Sequence, residues 1–359
     1  MLTAEAIINL SSLQHNYRLL KSMCNNQPVV AVVKGDAYGH SAKHVALTLP
    51  GADMLAVARI EEAIELRNLG IKSDILLLEG CFNRDDLQDA SRYQFQTVIH
   101  HQQQLEYFQS TELAKPVKVW LKLDTGMHRV GVTPEQLPEF IQSLQLSNNL
   151  DGELNFISHF SCADDLESSS TPEQISAFSS LLADYKGQKS IANSAGILFW
   201  PSSHFDVVRA GIALYGISPV DDKTGKELDL QPVMTLKSKL ISVREHKANQ
   251  PVGYGENWFS KHDTKIGVVA LGYGDGYPRL APEGTPVWVN GRIVPIVGRV
   301  SMDMITVDLG ANSEDNVGDE VEFWGNQLPI ELVANAVGTI PYELTIKLTK
   351  RVAKRYIEI

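Results

Sequence analysis

Five short stretches hold the residue types that do chemistry. AVVKGDAYGH (31–40) ends an apolar run in Lys34, and LKLDTGMHR (121–129) gathers Lys122, Asp124 and Arg129. SHF (158–160) carries His159, ANSAG (192–196) carries Asn193 and Ser194, and VRAGI (208–212) carries Arg209, Gly211 and Ile212. A lysine that closes a buried run is costly to leave there unpaired, so its amine is a candidate nucleophile. Ser194 with Gly196, and Gly211 with Ile212, offer a hydroxyl and approachable backbone N–H groups suited to a phosphate. A lysine amine, a phosphate cradle and Arg209 as partner for a ring nitrogen together suggest pyridoxal phosphate.

These stretches must be positioned by regular elements. Eight apolar runs read as buried parallel strands: 28–33, 54–58, 74–80, 96–100, 117–124, 154–160, 189–194 and 205–211. Segments with helical spacing lie between them, two of them opening on Thr-Pro-Glu, and the helix ending at Leu69 is closed by Gly70. The alternation predicts an α/β fold, a (β/α)8 TIM barrel, whose active site lies at the C-terminal ends of the strands. All five stretches then share one rim. A doubly wound sheet is the alternative, but the glycine-rich turn that normally follows its first strand is absent.

After GIALYGISP (211–219) the texture changes. VDDKTGKELDLQP (220–232) reads as a linker, and the β-branched segments beyond it, punctuated by Gly, Pro and Asn-Gly, read as a mainly antiparallel β-domain. The expected domains are 1–222 and 223–359.

The 359 residues carry a net charge of −11, with no Lys/Arg-rich run, which argues against a nucleic-acid partner. Cys24, Cys81 and Cys162 are odd in number and widely spaced, as expected in a reducing compartment. With no basic, apolar leader and no stretch near the ~18 apolar residues that span a bilayer, a cytoplasmic protein without membrane contact is expected.

The motifs AVVKGDAYGH, LKLDTGMHRVG, SHFSCADD, ANSAG, VRAGIALYG, VGYGENW, ALGYGDGYPR, GRVSMDM and IPYEL run in order from Ala31 to Leu344. Through them the chain closely resembles the bacterial alanine racemases. That resemblance implies a pyridoxal 5'-phosphate enzyme interconverting L- and D-alanine, for peptidoglycan or for alanine breakdown. It also implies a homodimer whose sites are completed by residues of both subunits. Lys34 would hold the cofactor, and Tyr38, Ser194, Gly211, Ile212 and Tyr342 its phosphate. Arg209 would face the ring nitrogen. Tyr254 of the partner subunit would be the second base, with His159 hydrogen-bonded to it. Arg129 and the Met302 backbone would take the substrate carboxylate. Lys122 would be carbamylated and would fix Arg129. Asp303, Tyr273, Tyr342, Asp164, Arg279 and Arg299 would support or line the substrate access.

The residue types suit that chemistry. Racemisation removes the α-proton from one face and returns one to the other, so it needs two bases, and a lysine opposed by a tyrosine serves. Arginine can only donate, so Arg209 leaves a ring nitrogen unprotonated and the ring a weaker electron sink, which favours prompt reprotonation. For Lys122 two readings stand, a carbamate facing Arg129 or an ordinary amine solvated or paired with Asp124, and a bound chloride could substitute for the carbamate.

Ser301 and His128 depart from the family's usual residues, and the tail TIKLTKRVAKRY lacks its Arg-Val-Pro-Arg ending. The Asp124-Thr125-Gly126 triplet occurs once, which argues against an aspartic protease. GYGDGY (272–277) is followed by Pro278 and has the wrong spacing for a dinucleotide loop, and no metal-ligand motif occurs. A decarboxylase of the same architecture would need a carboxylate in place of Arg209. A non-catalytic cofactor carrier would lack the second domain and Tyr254. Tyr254, Met302 and Tyr342 would crowd the side-chain pocket, so alanine fits best and serine follows.

Overall fold

The computed structural model describes residues 4–25, 27–49 and 51–358. Strand β1 (Ala4–Asn9) has alternating burial. After it come eight short strands: β2 (Val29–Val32), β3 (Met54–Val57), β4 (Ile75–Leu77), β5 (Gln96–Ile99), β6 (Val119–Lys122), β7 (Asn155–Ile157), β8 (Lys189–Ser190) and β9 (Val208–Ala210). These are the eight runs read from the sequence. They form one sheet in the order β8-β7-β6-β5-β4-β3-β2-β9, every pair parallel. Val29–Val32 is buried throughout, as a strand covered on both faces must be. The seam between β8 and β9 is spanned by bonds from Val207 N–H to Lys189 O (3.2 Å) and Arg209 N–H to Ala192 O (3.0 Å). The sheet is thus a nearly closed (β/α)8 barrel, as expected.

Helices alternate with the strands. Ile60–Asn68 ends at Leu69, followed by Gly70 at φ 86°, the left-handed residue a helix end favours. The first Thr-Pro-Glu behaves differently from expectation. Its helix begins only at Leu137, because Thr133–Gln136 closes a turn with Gln136 N–H on Thr133 O (3.1 Å). The second helix starts at Ser170, one residue before Thr171.

Two compact units emerge: Tyr17–Ala37 with Ser41–Leu214, and the residues up to Asn16 with Tyr38–His40 and Tyr215 onward. The second unit is built on a sheet of β10 (Met234–His246), β13 (Thr264–Val269), β14 (Pro286–Val289), β15 (Arg292–Pro295), β16 (Ile305–Asp308), β17 (Glu320–Trp324) and β18 (Ala353–Ile357), with a separate ribbon of β11 (Pro251–Val252) and β12 (Trp258–Phe259). Its pairings are antiparallel except β1 with β18. Strand β1 joins this sheet between β10 and β18, a placement the sequence reading does not contain. The Asn290-Gly291 turn has φ of 42° and 86°, both positive, as a tight hairpin between β14 and β15 requires. The expected linker is folded. Val220, Gly225 and Leu230 are buried, and Glu331 accepts from the Ser218 and Gly225 N–H groups, both at 2.8 Å.

Candidate active site

The chain leaves β2 in an unusual way. After Lys34 the backbone makes a left-handed helical turn: Gly35 (φ 62°, ψ 46°), Asp36 (53°, 47°), Ala37 (54°, 52°) and Tyr38 (φ 52°). Only glycine takes this conformation freely. Each L-residue there costs roughly 1–2 kcal/mol, so Asp36, Ala37 and Tyr38 store on the order of 3–6 kcal/mol. Hydrogen bonds hold the turn. Ala37 N–H donates to Val33 O (2.9 Å), Ser41 N–H to Asp36 O (2.9 Å), Ala42 N–H to Asp36 Oδ1 (2.9 Å) and Gly35 N–H to Glu62 Oε1 (2.7 Å). Backbone strain of this kind gathers at functional sites.

Four cationic side chains stand at the C-terminal ends of the barrel strands: Lys34, Lys122, Arg129 and Arg209. Among the described residues none of them forms an ion pair. Arg209 is 5% exposed. Its Nη1 donates to Ser190 Oγ (2.8 Å), and its Nη2 to Ser158 O (2.7 Å) and to His159 Nδ1 (3.2 Å). Burial pushes its pKa down to about 10. Since arginine only donates, His159 Nδ1 accepts and the ring is neutral with its proton on Nε2. Burial, with Arg209, Lys122, Arg129 and Lys34 around it, keeps His159 well below the ordinary histidine range.

Lys34 is exposed as a residue, yet the walls around its amine lower the pKa, Arg129 and Arg209 add to that, and Glu79 and Glu62 oppose it. Lys122 is pushed down to about 8 by burial, then by Arg209, Arg129 and Lys34. The alternative of a Lys122–Asp124 pair finds no support. Asp124 Oδ1 accepts instead from Gly126 and His128 N–H (3.0 Å each), and Oδ2 lies 3.7 Å from His128 Nδ1.

Ser194 starts the helix Ser194–Phe199, capped by Asn193 Oδ1 on Gly196 N–H (2.9 Å). The buried Ser194 Oγ accepts from Gly211 N–H (2.9 Å) and Ala213 N–H (3.2 Å). Ile212 opens a 3-10 turn, so its N–H has no partner within the turn. The barrel therefore gathers Lys34, Lys122, Arg129, His159, Ser194, Arg209, Gly211 and Ile212 of the expected residues.

The second unit holds the others. Tyr38 packs between Tyr215 (5.0 Å between centroids) and Tyr342 (5.7 Å), and burial raises its phenol well above the ordinary value. Tyr254 is 71% exposed and Met302 52%. Arg299 lies against Gly255. Gly274 N–H donates to Met302 O (2.8 Å) and Tyr273 N–H to Ser301 O (3.0 Å). Arg351 bridges these two loops, with Nη2 on Asp303 Oδ1 (2.7 Å) and Nε on Asp275 Oδ1 (3.0 Å). Asp164 and Arg279 are exposed.

Glu62, Tyr215 and Arg351 are absent from the sequence reading. Only Glu62 had a local signal, as the third residue of a helix whose Oε2 accepts from Ala58 N–H (2.9 Å) and Arg59 N–H (3.2 Å).

A barrel whose mouth gathers an amine, two arginines and a hydroxyl/N–H cradle is that of an enzyme acting on small anionic molecules. Family models for the alanine racemase N-terminal domain and C-terminal domain match residues 8–219 and 233–356. The chain is 54% identical over 356 residues to the alanine racemase of Vibrio parahaemolyticus, covering 99% of each. The crystal structure of the biosynthetic alanine racemase of Pseudomonas aeruginosa superposes with a TM-score of 0.97 at 45% identity, over 99% of this chain and 100% of that one. The Bartonella henselae alanine racemase with covalently bound pyridoxal phosphate superposes at 0.89, with 31% identity over 99% of both chains. The chain belongs to the alanine racemase family. Its activity is the interconversion of L- and D-alanine, an isomerisation.

Proposed function

We propose that this racemase holds pyridoxal 5'-phosphate on Lys34 and works as a cytoplasmic homodimer in which Lys34 and Tyr254 of the partner subunit serve opposite faces of the substrate. The observation that carries the reading is the set of four cations at the barrel mouth with no carboxylate in ion-pair contact with them among the described residues. Such a donor set fits an anionic cofactor and an amino-acid carboxylate. When bound, the cofactor would delocalise the electron pair left on the α-carbon after its proton has gone to a base. The chain's own groups do the rest. Lys34, with its pKa lowered by burial and by Arg129, is able to take a proton on one face. Tyr254 returns one on the other. Arg209, buried and with no carboxylate paired to it among the described residues, would donate to a ring nitrogen. Tyr38, Ser194, Gly211, Ile212 and Tyr342 hold the phosphate, with neutral His159 fixed by Arg209 beside them.

Arg129 and the Met302 N–H take the substrate carboxylate, and Lys122 fixes Arg129 as a carbamate. A lysine near pKa 8 has enough neutral amine to attack CO2, forming an N–C bond and releasing a proton. Tyr273, Asp164, Arg279, Arg299 and Asp303 line or support the access. The exposure of Tyr254, Phe259, Met302 and Met304 is what a face covered by a second copy presents. The test is to incubate the protein with L-alanine and cofactor and follow optical rotation. Rotation decays to zero without CO2 release. Constant rotation, or release of CO2, contradicts the reading.

A further inference from the structure

A side chain of the next helix reaches the left-handed turn after Lys34. Glu62 lies in the helix Ile60–Asn68, which follows β3, while Gly35 follows β2. Its Oε1 accepts from Gly35 N–H at 2.7 Å, and its Oε2 from Ala58 and Arg59 N–H at 2.9 and 3.2 Å. One carboxylate thus ties the residue next to the lysine to the neighbouring strand's exit loop. The arrangement goes beyond a cap. Asp86 caps the next loop in the same manner, accepting from Phe82 N–H at 2.8 Å, four residues before it.

Resting on the reading that Lys34 is the proton-transferring amine, we propose that Glu62 is a positioning residue for Lys34: it pins the strained turn through Gly35 N–H and so fixes where the amine stands at the barrel mouth. Its charge also reaches the amine. Lys34 faces Arg129, Arg209 and Lys122, and the carboxylates it faces are Glu79 and Glu62, which raise its pKa. Removing the Glu62 charge lowers it, and a lysine with a lower pKa stays neutral to lower pH.

The experiment compares holoenzyme variants Glu62→Ala, Glu62→Gln and Asp86→Ala by hydrogen–deuterium exchange and steady-state kinetics. In Glu62→Ala, exchange across 34–41 rises at least about tenfold while the rest of the barrel keeps its protection, because a pinned, strained turn is released. The kcat falls about tenfold, and KM for alanine stays within about twofold, since Arg129 is untouched. In Glu62→Gln one amide oxygen replaces two carboxylate oxygens, so exchange rises less, and the low-pH limb of kcat moves toward lower pH. Asp86→Ala changes neither. The proposal is overturned if exchange across 34–41 is unchanged in both Glu62 variants, or if they lower the melting temperature without moving kcat or the limb. Should Glu62→Ala not fold, Glu62→Gln decides by the same two readouts. Lys34→Ala separates the two claims: racemisation surviving in that variant breaks the reading of Lys34, whereas the exchange result at Gly35 tests the pin alone.

Discussion

The two ends of the barrel treat charge in opposite ways. At the N-terminal floor Lys21, Asp53, Asp74 and Lys118 are paired. Lys21 pairs with Asp53 (2.9 Å), and Asp53 also accepts from Val29 N–H (2.9 Å) and Tyr17 OH (3.2 Å). Lys118 lies 3.7 Å from Asp74, which accepts from Gln96, and Gln96 in turn accepts from Trp120. At the mouth Lys34, Lys122, Arg129 and Arg209 stand together with no ion pair among the described residues. Clustering like charges at the ends of three strands, β2, β6 and β9, costs folding free energy, and a fold selected for stability alone would pair them, as Lys21 and Asp53 are paired at the floor. The floor pairs these charges, and the mouth leaves its four cations without an ion pair among the described residues.

Substitutions at the two ends test that contrast. Lys34→Ala removes the amine from the mouth and lowers kcat by at least about 10³, while thermal stability holds or improves as one of the four cations disappears. A racemisation assay with a melting curve checks both. Arg209→Glu puts an anion among the cations. It lowers racemisation by about 10² or more, adds a long-wavelength absorption band and yields the keto acid of the substrate as a side product. An unchanged spectrum and product ratio would sink that account of Arg209.

For Lys122 the sign follows from its pKa of about 8. The amine is neutral above that value and protonated below it, and only the neutral amine binds CO2. If Lys122 carries the proposed carbamate, KM for alanine rises by about tenfold in CO2-free buffer near pH 6, where Arg129 would lose that anion, and bicarbonate at pH 8 restores it. Lys122→Met shows no bicarbonate response.

The smallest effect on activity comes from the floor. Burial would raise the Asp53 carboxyl, but bonds from Val29 N–H, Lys21 and Tyr17 outweigh it and hold the pKa below the usual value. A depressed carboxylate contributes stability that is complete above the unfolded pKa and is lost as pH falls through the folded one. Asp53→Asn costs roughly 1–3 kcal/mol of stability at pH 7, by denaturant midpoint. It changes racemisation less than twofold and flattens the acid limb of the stability curve.

Much of the barrel was legible because its information is local. Eight apolar runs, the spacing of the helices and Gly70 after Leu69 each state a preference that short-range physics satisfies on the spot. The residues at the mouth were legible for the same reason: once eight strands run parallel, whatever ends them shares a rim. Thr133-Pro134-Glu135 shows the limit. It carries every mark of a helix start and forms a turn, with the helix delayed to Leu137. Strand β1 was missed because its partners, β10 and β18, lie far along the chain.

By itself the sequence determined which side chains end the strands, that no carboxylate stands at Arg209, and which motifs tie the chain to its family. Tertiary structure decided the rest. Asp36, Ala37 and Tyr38 oppose their own backbone preferences, and nothing local in GDAY announces a left-handed turn. The turn persists because Glu62, 27 residues on, accepts from Gly35, and because Asp36 is tied to Ser41 and Ala42. Likewise Asp124, two residues from Lys122, turns to Gly126 and His128, which leaves the lysine among cations. Propensity acts between neighbours in sequence. Strain and charge are settled by neighbours in space.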